Sequence, residues 1–496
     1  MFLEPTSKFP PPDYSYWFNK YDEWESWYSG DPANLLEYYT VKALGNETAQ
    51  EKFWARMEQE DRASIVHVPL AGDIAATSSN LLFAESPRFK YDEKNKSGKR
   101  IKSFIEINGF DNILLEGAEL AAALSGCLLK IDIEPSLEKI PLVSVLTPSQ
   151  FFPMFWRGRL WEVLCFRVVK TTESGVVYRL FENRRREGTS LIIEYQLHKG
   201  TNDRVGKIID FSEIAETENL NLEPVRHNNI DGLGCVYIPN MRPNKLIPGA
   251  YVGINDYNSS ITMLDSLDFA WTSWIRDIEL GLAQLLIDEE LLEKAKNKTG
   301  GTVQFLNKFN KFRKAFVKLD LSSWKMGGEG GIKPIEQVQF DIRVDEHAKT
   351  CEQLFYQIIN QCGYSPQSFG LGIEGRAESG TALKLRENKS QLTRNKKSRY
   401  WIPAIRQILL QMQRFDKSSN GFNQMYEEQD TSIEIEDSIM TDTKEISETI
   451  RNLDQAKAIS NYTKVKMQHP DWKEDDIKNE VDKINKESGI TEEIFK

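Results

Sequence analysis

The chain has 496 residues, 40% of them apolar and 28% charged, with 25 Phe, 17 Tyr and 11 Trp. That length exceeds one ordinary hydrophobic core, so several packed units are expected, and the aromatic content excludes a disordered polymer. A net charge of −11 excludes binding of nucleic acid by global attraction to phosphate, while leaving room for local basic patches.

Residues 1 to about 62 are rich in aromatic and acidic side chains and read as short helices after a Pro-rich start, for instance Pro32 to Leu44 and Ala49 to Glu58, forming an outer layer. The stretch Ile65 to Pro87 begins extended and then places Leu70, Ile74, Leu81 and Leu82 at near-helical spacing. From about Ile101 to Leu222 the pattern reads mainly as short strands, CLLKIDIE, LVSVLTP, LWEVLCFRVVKT, VVYRLFENRR and SLIIEYQLHKG, which predicts an antiparallel β region with one buried face.

After a loop over Pro239 to Asn258, the spacing of Ile261, Leu264, Leu267, Trp271, Trp274, Ile278, Leu282 and Leu285 predicts a helix of about seven turns, with Ser259 or Ser260 as its cap. A second helix, Glu346 to Cys362, repeats the stripe with Cys351, Leu354, Phe355, Ile358 and Ile359. The insert between them, 287–345, holds the basic aromatic run FLNKFNKFRKAFVK, the turn GGEGG and a strand-like VQFDIRV. Residues 363–380, GYSPQSFGLGIEGRAESG, are too rich in Gly, Ser and Pro for regular structure. A long helix is expected over Thr381 to Phe415, kinked at Pro403. The strand TSIEIED and two or three helices capped at Thr443 and Asp471 complete the chain, which as a whole reads as α+β.

No catalytic constellation emerges. Gly370, Gly372 and Gly375 spell GxGxxG, but that motif needs a strand before it and a helix N-terminus after it, and here a helix precedes it. There is no GxxxxGK[ST], no HExxH and no GxSxG. The five cysteines (Cys127, Cys165, Cys235, Cys351, Cys362) contain no CxxC pair and read as reduced core thiols. His67 reads as a satisfied structural residue. Asp475 with Asp476, and Glu434 with Glu436, read as solvated faces or strand edges more readily than as cation sites. No metal and no cofactor is expected. The start of the sequence shows no secretory pattern, and the most apolar window, Leu114 to Leu129, is short and carries Glu116 and Glu119, so no membrane span is expected.

Charge is segregated along the chain: −7 over 1–258, −7 over 259–293, +8 over 294–325, −4 over 326–380, +8 over 381–417 and −9 over 418–496. These blocks follow the boundaries of the expected elements, so opposite charges are available for faces that meet.

The segment SGTALKLRENKSQLTRNKKSRYW, Ser379 to Trp401, resembles the SGxALK start of the long helix of tailed-bacteriophage portal proteins, the head-to-tail connectors. HVPLAGDIAATSSNLLFAESP, His67 to Pro87, is similar to that family's segment ending in LLFGExP, with Ala84 where glycine is common. The C-terminal strand followed by acidic helices fits the same order. The resemblance implies a wing (1–258), an outgoing stem helix (259–286), a clip (287–345), a returning stem helix (346–362), a tunnel loop (363–380), a kinked wing helix (381–417) and a crown (418–496).

It further implies a homo-oligomeric ring, a dodecamer in the virion, at the capsid portal vertex, assembled in the host cytoplasm and neither catalysing a reaction nor using a cofactor. Its implied partners are the terminase large subunit, the head-to-tail adaptor, the major capsid and scaffolding proteins, and double-stranded DNA held weakly and without sequence preference. The tunnel-loop candidates facing DNA are Gln367, Ser368, Glu374, Arg376 and Glu378. The kinked-helix candidates for subunit contacts or proximity to DNA are Lys384, Arg386, Lys389, Arg394, Lys396 and Lys397. The clip candidates facing terminase or adaptor are Lys308, Lys311, Arg313 and Lys314, with the interleaved phenylalanines packing the clip. The alternative that stays open is a nucleotide- or nucleic-acid-processing enzyme built on the Gly-rich loop.

Overall fold

The computed structural model describes residues 2–45, 47–56, 65–218, 220, 223–280, 284–288, 316–319, 335–338, 342–371, 380–435, 443–469, 472 and 474–487. Mixed helices and mostly antiparallel sheets make it α+β. The N-terminal region holds α1 (Pro12–Tyr28), α2 (Pro32–Glu37) running into a π-turn (Tyr38–Lys42), α3 (Glu47–Gln50), α4 (Leu70–Phe83), β1 (Arg88–Lys90), α5 (Lys96–Asn108) and α6 (Phe110–Leu124). The strands β2 (Gly126–Asp132), β3 (Leu142–Leu146), β4 (Phe151–Trp156), β5 (Arg159–Thr171), β6 (Val177–Glu187), β7 (Ser190–Thr201), β8 (Arg204–Ile209), β9 (Val225–His227) and β10 (Cys235–Pro239) follow. Then come α7 (Ile261–Leu280), β11 (Gln284–Asp288), β12 (Phe316–Leu319), β13 (Ile335–Val338), α8 (Val344–Cys362), α9 (Gly380–Lys417), β14 (Ser432–Glu434), α10 (Thr443–Gln455), α11 (Asn461–Gln468) and α12 (Glu474–Glu487).

Two sheets carry the β region: a six-stranded one in the order β4-β5-β6-β7-β8 with β9 beside β7, and a three-stranded one in the order β10-β2-β3. Alternation along β5 to β7 is what makes these segments strands, because one face buries Val163, Cys165, Leu191 and Ile193 in a core shared with β2, α6 and α9. A second core joins Trp24 and Trp27 of α1 and Leu70 and Ile74 of α4 to Leu264 and Leu267 of α7 and Ile358 and Ile359 of α8. At about 25 cal/mol per Å² of apolar surface removed from water, each of these large side chains contributes about 2 kcal/mol to its core.

Several boundaries differ from the sequence reading. Ile101 to Leu124 is helical: Ile101 and Phe104 of α5, then Leu114, Ala118, Ala121 and Ala122 of α6, recur every three or four residues and are buried. Residues 12–28 form one 17-residue helix started by Pro12. Helix α7 stops at Leu280, and Leu285 belongs to β11, pairing with Phe316 on one side and Gln337 on the other. Strand β13 ends at Val338, earlier than VQFDIRV suggested. Ser260 does not cap α7; its hydroxyl donates to Gln361 Oε1 at 3.2 Å, fastening α7 to α8. Ser460 caps α11 by accepting from the Thr463 amide, while Asp471 lies outside the described residues. Helix α9 runs on through Pro403 for 38 residues.

The five cysteines are free and buried. Among the described residues no helix is long and apolar enough to cross a membrane, and no group of three or more His, Cys, Asp or Glu is placed to hold a metal ion. Glu434 is in an ion pair with Lys90 across the β1–β14 ladder.

Candidate functional site

The Gly-rich segment between α8 and α9 is the part of the chain with the least local preference for regular structure, so what fixes its ends decides what it can do. Gly363 ends α8: at φ +89° its amide donates to the Asn360 carbonyl and the Tyr364 amide to the Ile359 carbonyl, the paired reverse bonds of a glycine helix stop. The turn sends Tyr364 back into the core. A short 3-10 turn, Pro366–Phe369, follows, closed by Gly370 at φ +74°. This glycine of the GxGxxG run therefore ends a turn that follows a helix, which is not the strand-to-helix arrangement a phosphate loop requires.

The buried face of α9 changes character along its length. Trp401, Ile405, Ile408, Met412 and Phe415 form its apolar part, while Ser390, Thr393, Arg394 and Lys397 continue the same three-and-four spacing as a polar part. Those polar side chains meet helix ends, where the last carbonyls have no partner within their own helix. Lys389 Nζ donates to the Asn360 carbonyl and Thr393 Oγ1 to the Gly363 carbonyl at 2.6 Å, both at the end of α8. Arg394 Nε donates to the Leu81 carbonyl at 2.7 Å in the last turn of α4, and its other nitrogen reaches the Ile435 carbonyl at 3.2 Å. Ser390 Oγ accepts from the Ser365 amide at 2.8 Å and contacts Ser368 Oγ at 2.8 Å.

Below this lies a buried ionic knot. Lys397 Nζ and Asp256 Oδ2 are 2.6 Å apart, with side chains only 2% and 1% exposed. Asp256 Oδ2 also accepts from Tyr364 Oη at 2.6 Å, and its Oδ1 accepts from Asn240 Nδ2 at 2.8 Å. The Asp256 amide donates to the Ala122 carbonyl at 3.0 Å, and Lys397 Nζ donates to Ser78 Oγ. The knot thus joins α4, α6, the end of β10, the approach to α7, the exit from α8 and the first half of α9. Burial pulls the Lys397 ammonium below its ordinary value even with Asp256 opposing that shift. Burial and the neighbouring Asp256 charge both push the Tyr364 phenol up, keeping it a donor.

Of the candidate residues named from sequence, Gln367 and Ser368 lie on the 3-10 turn packed against α9. Glu374, Arg376 and Glu378 fall outside the described residues, as do Lys308, Lys311, Arg313 and Lys314. Lys384 and Arg386 are on α9, and their side chains are outside the description. Lys389 and Lys396 are exposed. Arg394 and Lys397 are buried in contacts inside their own chain, because each satisfies a carbonyl or carboxylate that has no water available. Sequence reasoning missed Asp256, Tyr364, Ser390 and Thr393. The glycine directly before Tyr364 was the one available signal, since a helix stop turns the following residue inward.

Helices that lead out and back around an insert, a glycine-rich segment clamped at its near end, and a long helix behind it are the parts of a connector-type structural subunit. The chain belongs to the phage portal protein family of SPP1 Gp6-like type, whose model matches residues 13–492. As such it is a structural protein of the phage virion. Among curated proteins no match is found. Among solved structures it is similar to a chain of the virion of a native gene transfer agent (GTA) particle, at 10% identity and a TM-score of 0.38, over 92% of this chain and 93% of that one.

Proposed function

We propose that this chain is the subunit of a homo-oligomeric portal ring, a dodecamer in the virion, through which double-stranded DNA is packaged and later ejected. The carrying observation is the family match over residues 13–492. In this reading 1–258 form the wing, α7 and α8 the stem, 287–345 the clip, 363–380 the tunnel loop, α9 the wing helix and 418–496 the crown. The clip cations Lys308, Lys311, Arg313 and Lys314 dock the terminase large subunit and later the head-to-tail adaptor. The rest of the ring is seated among major capsid and scaffolding proteins, first in the host cytoplasm and then in the virion.

The anchored loop base supports a specific version of this role. A channel for a passing polyanion works best with weak contacts, since each phosphate neutralised by a fixed cation adds to the grip. The order from Gly363 to Leu371 against α9 confines free movement to the segment carrying Glu374, Arg376 and Glu378, which touches DNA without gripping it. Deleting 372–375 while keeping Gly370 and its turn tests this. Rings with a central hole in negative-stain images, together with DNA packaging that falls to background, are the expected result; normal packaging by those rings defeats the loop's role. A wild-type chain that stays monomeric and turns over ATP or cleaves DNA would instead support the enzyme reading.

A further inference from the structure

The β4–β5 hairpin ends in Phe155-Trp156-Arg157-Gly158-Arg159-Leu160-Trp161, and it presents large aromatic rings to solvent. Trp156 is 64% exposed and Trp161 52%, values that a free monomer rarely tolerates together on one tip. The tip is rigidly built. Trp156 and Arg159 face each other across a two-residue turn in which Arg157 has φ +49° and Gly158 φ +78°, the pairing of positive angles that closes a tight hairpin along the natural twist of its strands. A non-glycine residue in that region is disfavoured, so the sequence accepts strain in order to place an arginine at the apex.

The hairpin is also braced from below. Phe155 packs against Tyr237 and Tyr251 at ring-centre distances of 5.6 Å each, and the Arg242 guanidinium lies 5.3 Å above Tyr251. Arg157, Arg159, Arg242 and Lys245 are exposed around these rings and have no carboxylate partner among the described residues. Exposed Trp, Tyr and Arg on a pre-formed support is the composition of an interface hot spot.

We infer that this hairpin tip is one half of the contact between neighbouring copies of the chain, docking on an acidic face of the next subunit. Two observations choose a second copy as the occupant. The patch carries four cations on a chain whose total is −11, so the remainder of any neighbouring copy is more acidic than that total and complements the tip. Two tryptophans left bare would also be a standing aggregation hazard, which a permanent assembly removes and a transient partner does not. A ring built from identical subunits uses two different faces at each contact, and the tip supplies one of them. The inference rests on the ring reading above and assigns a face that the reading leaves open.

The test uses the full chain in three forms: wild type, Arg157→Glu/Arg159→Glu, and a chain with a photoreactive phenylalanine analogue at Trp161. Oligomeric state is followed by native mass spectrometry over a dilution series, with circular dichroism as the folding control. Rings from wild type, dissociation of the charge-reversed chain at concentrations where wild type stays assembled, and crosslinks from position 161 to an acidic segment of another copy are expected. Rings of unchanged stability in the charge-reversed chain, or crosslinks confined to the same copy, overturn the contact while leaving the ring intact. Wild type that never assembles overturns the ring reading itself. Loss of binding to anionic vesicles or to DNA with ring stability unchanged assigns the tip to another occupant and likewise overturns the inference.

Discussion

At the base of the glycine-rich loop one ammonium meets one carboxylate, whereas between the two sheets of the N-terminal region two cations share two carboxylates. Lys397 and Asp256 form the first centre. In the second, Glu182 of β6 bonds both Arg184 of β6 and Lys130 of β2, Asp132 of β2 contacts the same two cations, and Arg184 also donates to the Gly234 carbonyl at 2.7 Å. Burial alone would raise the Glu182 carboxyl, but Arg184 and Lys130 outweigh it and hold that group well below the usual carboxylate range. The same desolvation cost is therefore met by redundancy in the sheets and by a single partner at the loop base. Losing one group should hurt the second arrangement less than the first.

The largest expected effect follows directly. Lys397→Met removes the only cation on Asp256 among the described residues and leaves a buried carboxylate, so stability should fall by about 3 to 5 kcal/mol in urea unfolding. The double change Lys397→Met/Asp256→Asn keeps the acceptor for Tyr364 and Asn240 without a charge and should recover much of that loss. A double variant no more stable than the single one would show that the cost lies in packing, not in the stranded charge. Arg184→Met is the matched test in the sheets. Lys130 remains 3.0 Å from Glu182 and 2.9 Å from Asp132, so a smaller loss, about 2 kcal/mol, is expected by the same measurement. A loss as large as that of Lys397→Met would break the argument from redundancy.

How far this contrast could be read from sequence differs between its halves. The stripe of Leu264, Leu267, Cys351 and Ile358 announced the two helices that frame the loop, because burial of one helical face leaves a periodic trace. The edge strand β4 left a misleading one: Pro153 argues against a strand, yet it is tolerated where the strand pairs only with β5. The basic residues of α9 were visible as a block, but charge along a helix does not say which members turn inward. Arg394 and Lys397 share a spacing with Trp401 and Phe415 that only the packed core reveals as its buried face. Asp256 stood in a loop, separated by 141 residues from the lysine it pairs with, and nothing local marks such a partner. The hairpin tip was missed for the converse reason, since exposed tryptophans look like core residues until the fold places them.

A histidine beside the sheet centre gives the finest probe of the comparison. His227 lines a cavity of about 600 Å³ together with Lys130, Glu182, Arg184 and Tyr195. Burial first, and the Arg184 charge second, lower its ring from the ordinary 6.5 to about 4. Between those values the unfolded chain binds a proton that the folded chain refuses, so the contribution is complete above pH 6.5 and is lost as pH falls toward 4. The loss amounts to about 2 kcal/mol once partial solvation through the cavity is allowed for. His227→Gln should flatten the decline of thermal stability between pH 6.5 and 4.5 relative to wild type, the carboxylates contributing equally to both. Arg184→Met should move the His227 titration upward by removing one of its two causes, readable in the ring-proton NMR shift. Lys397→Met acts at the other centre and should leave that titration where it is. If it moves as well, the two centres are one coupled network, and the smaller cost expected for Arg184→Met would lose its basis in local redundancy.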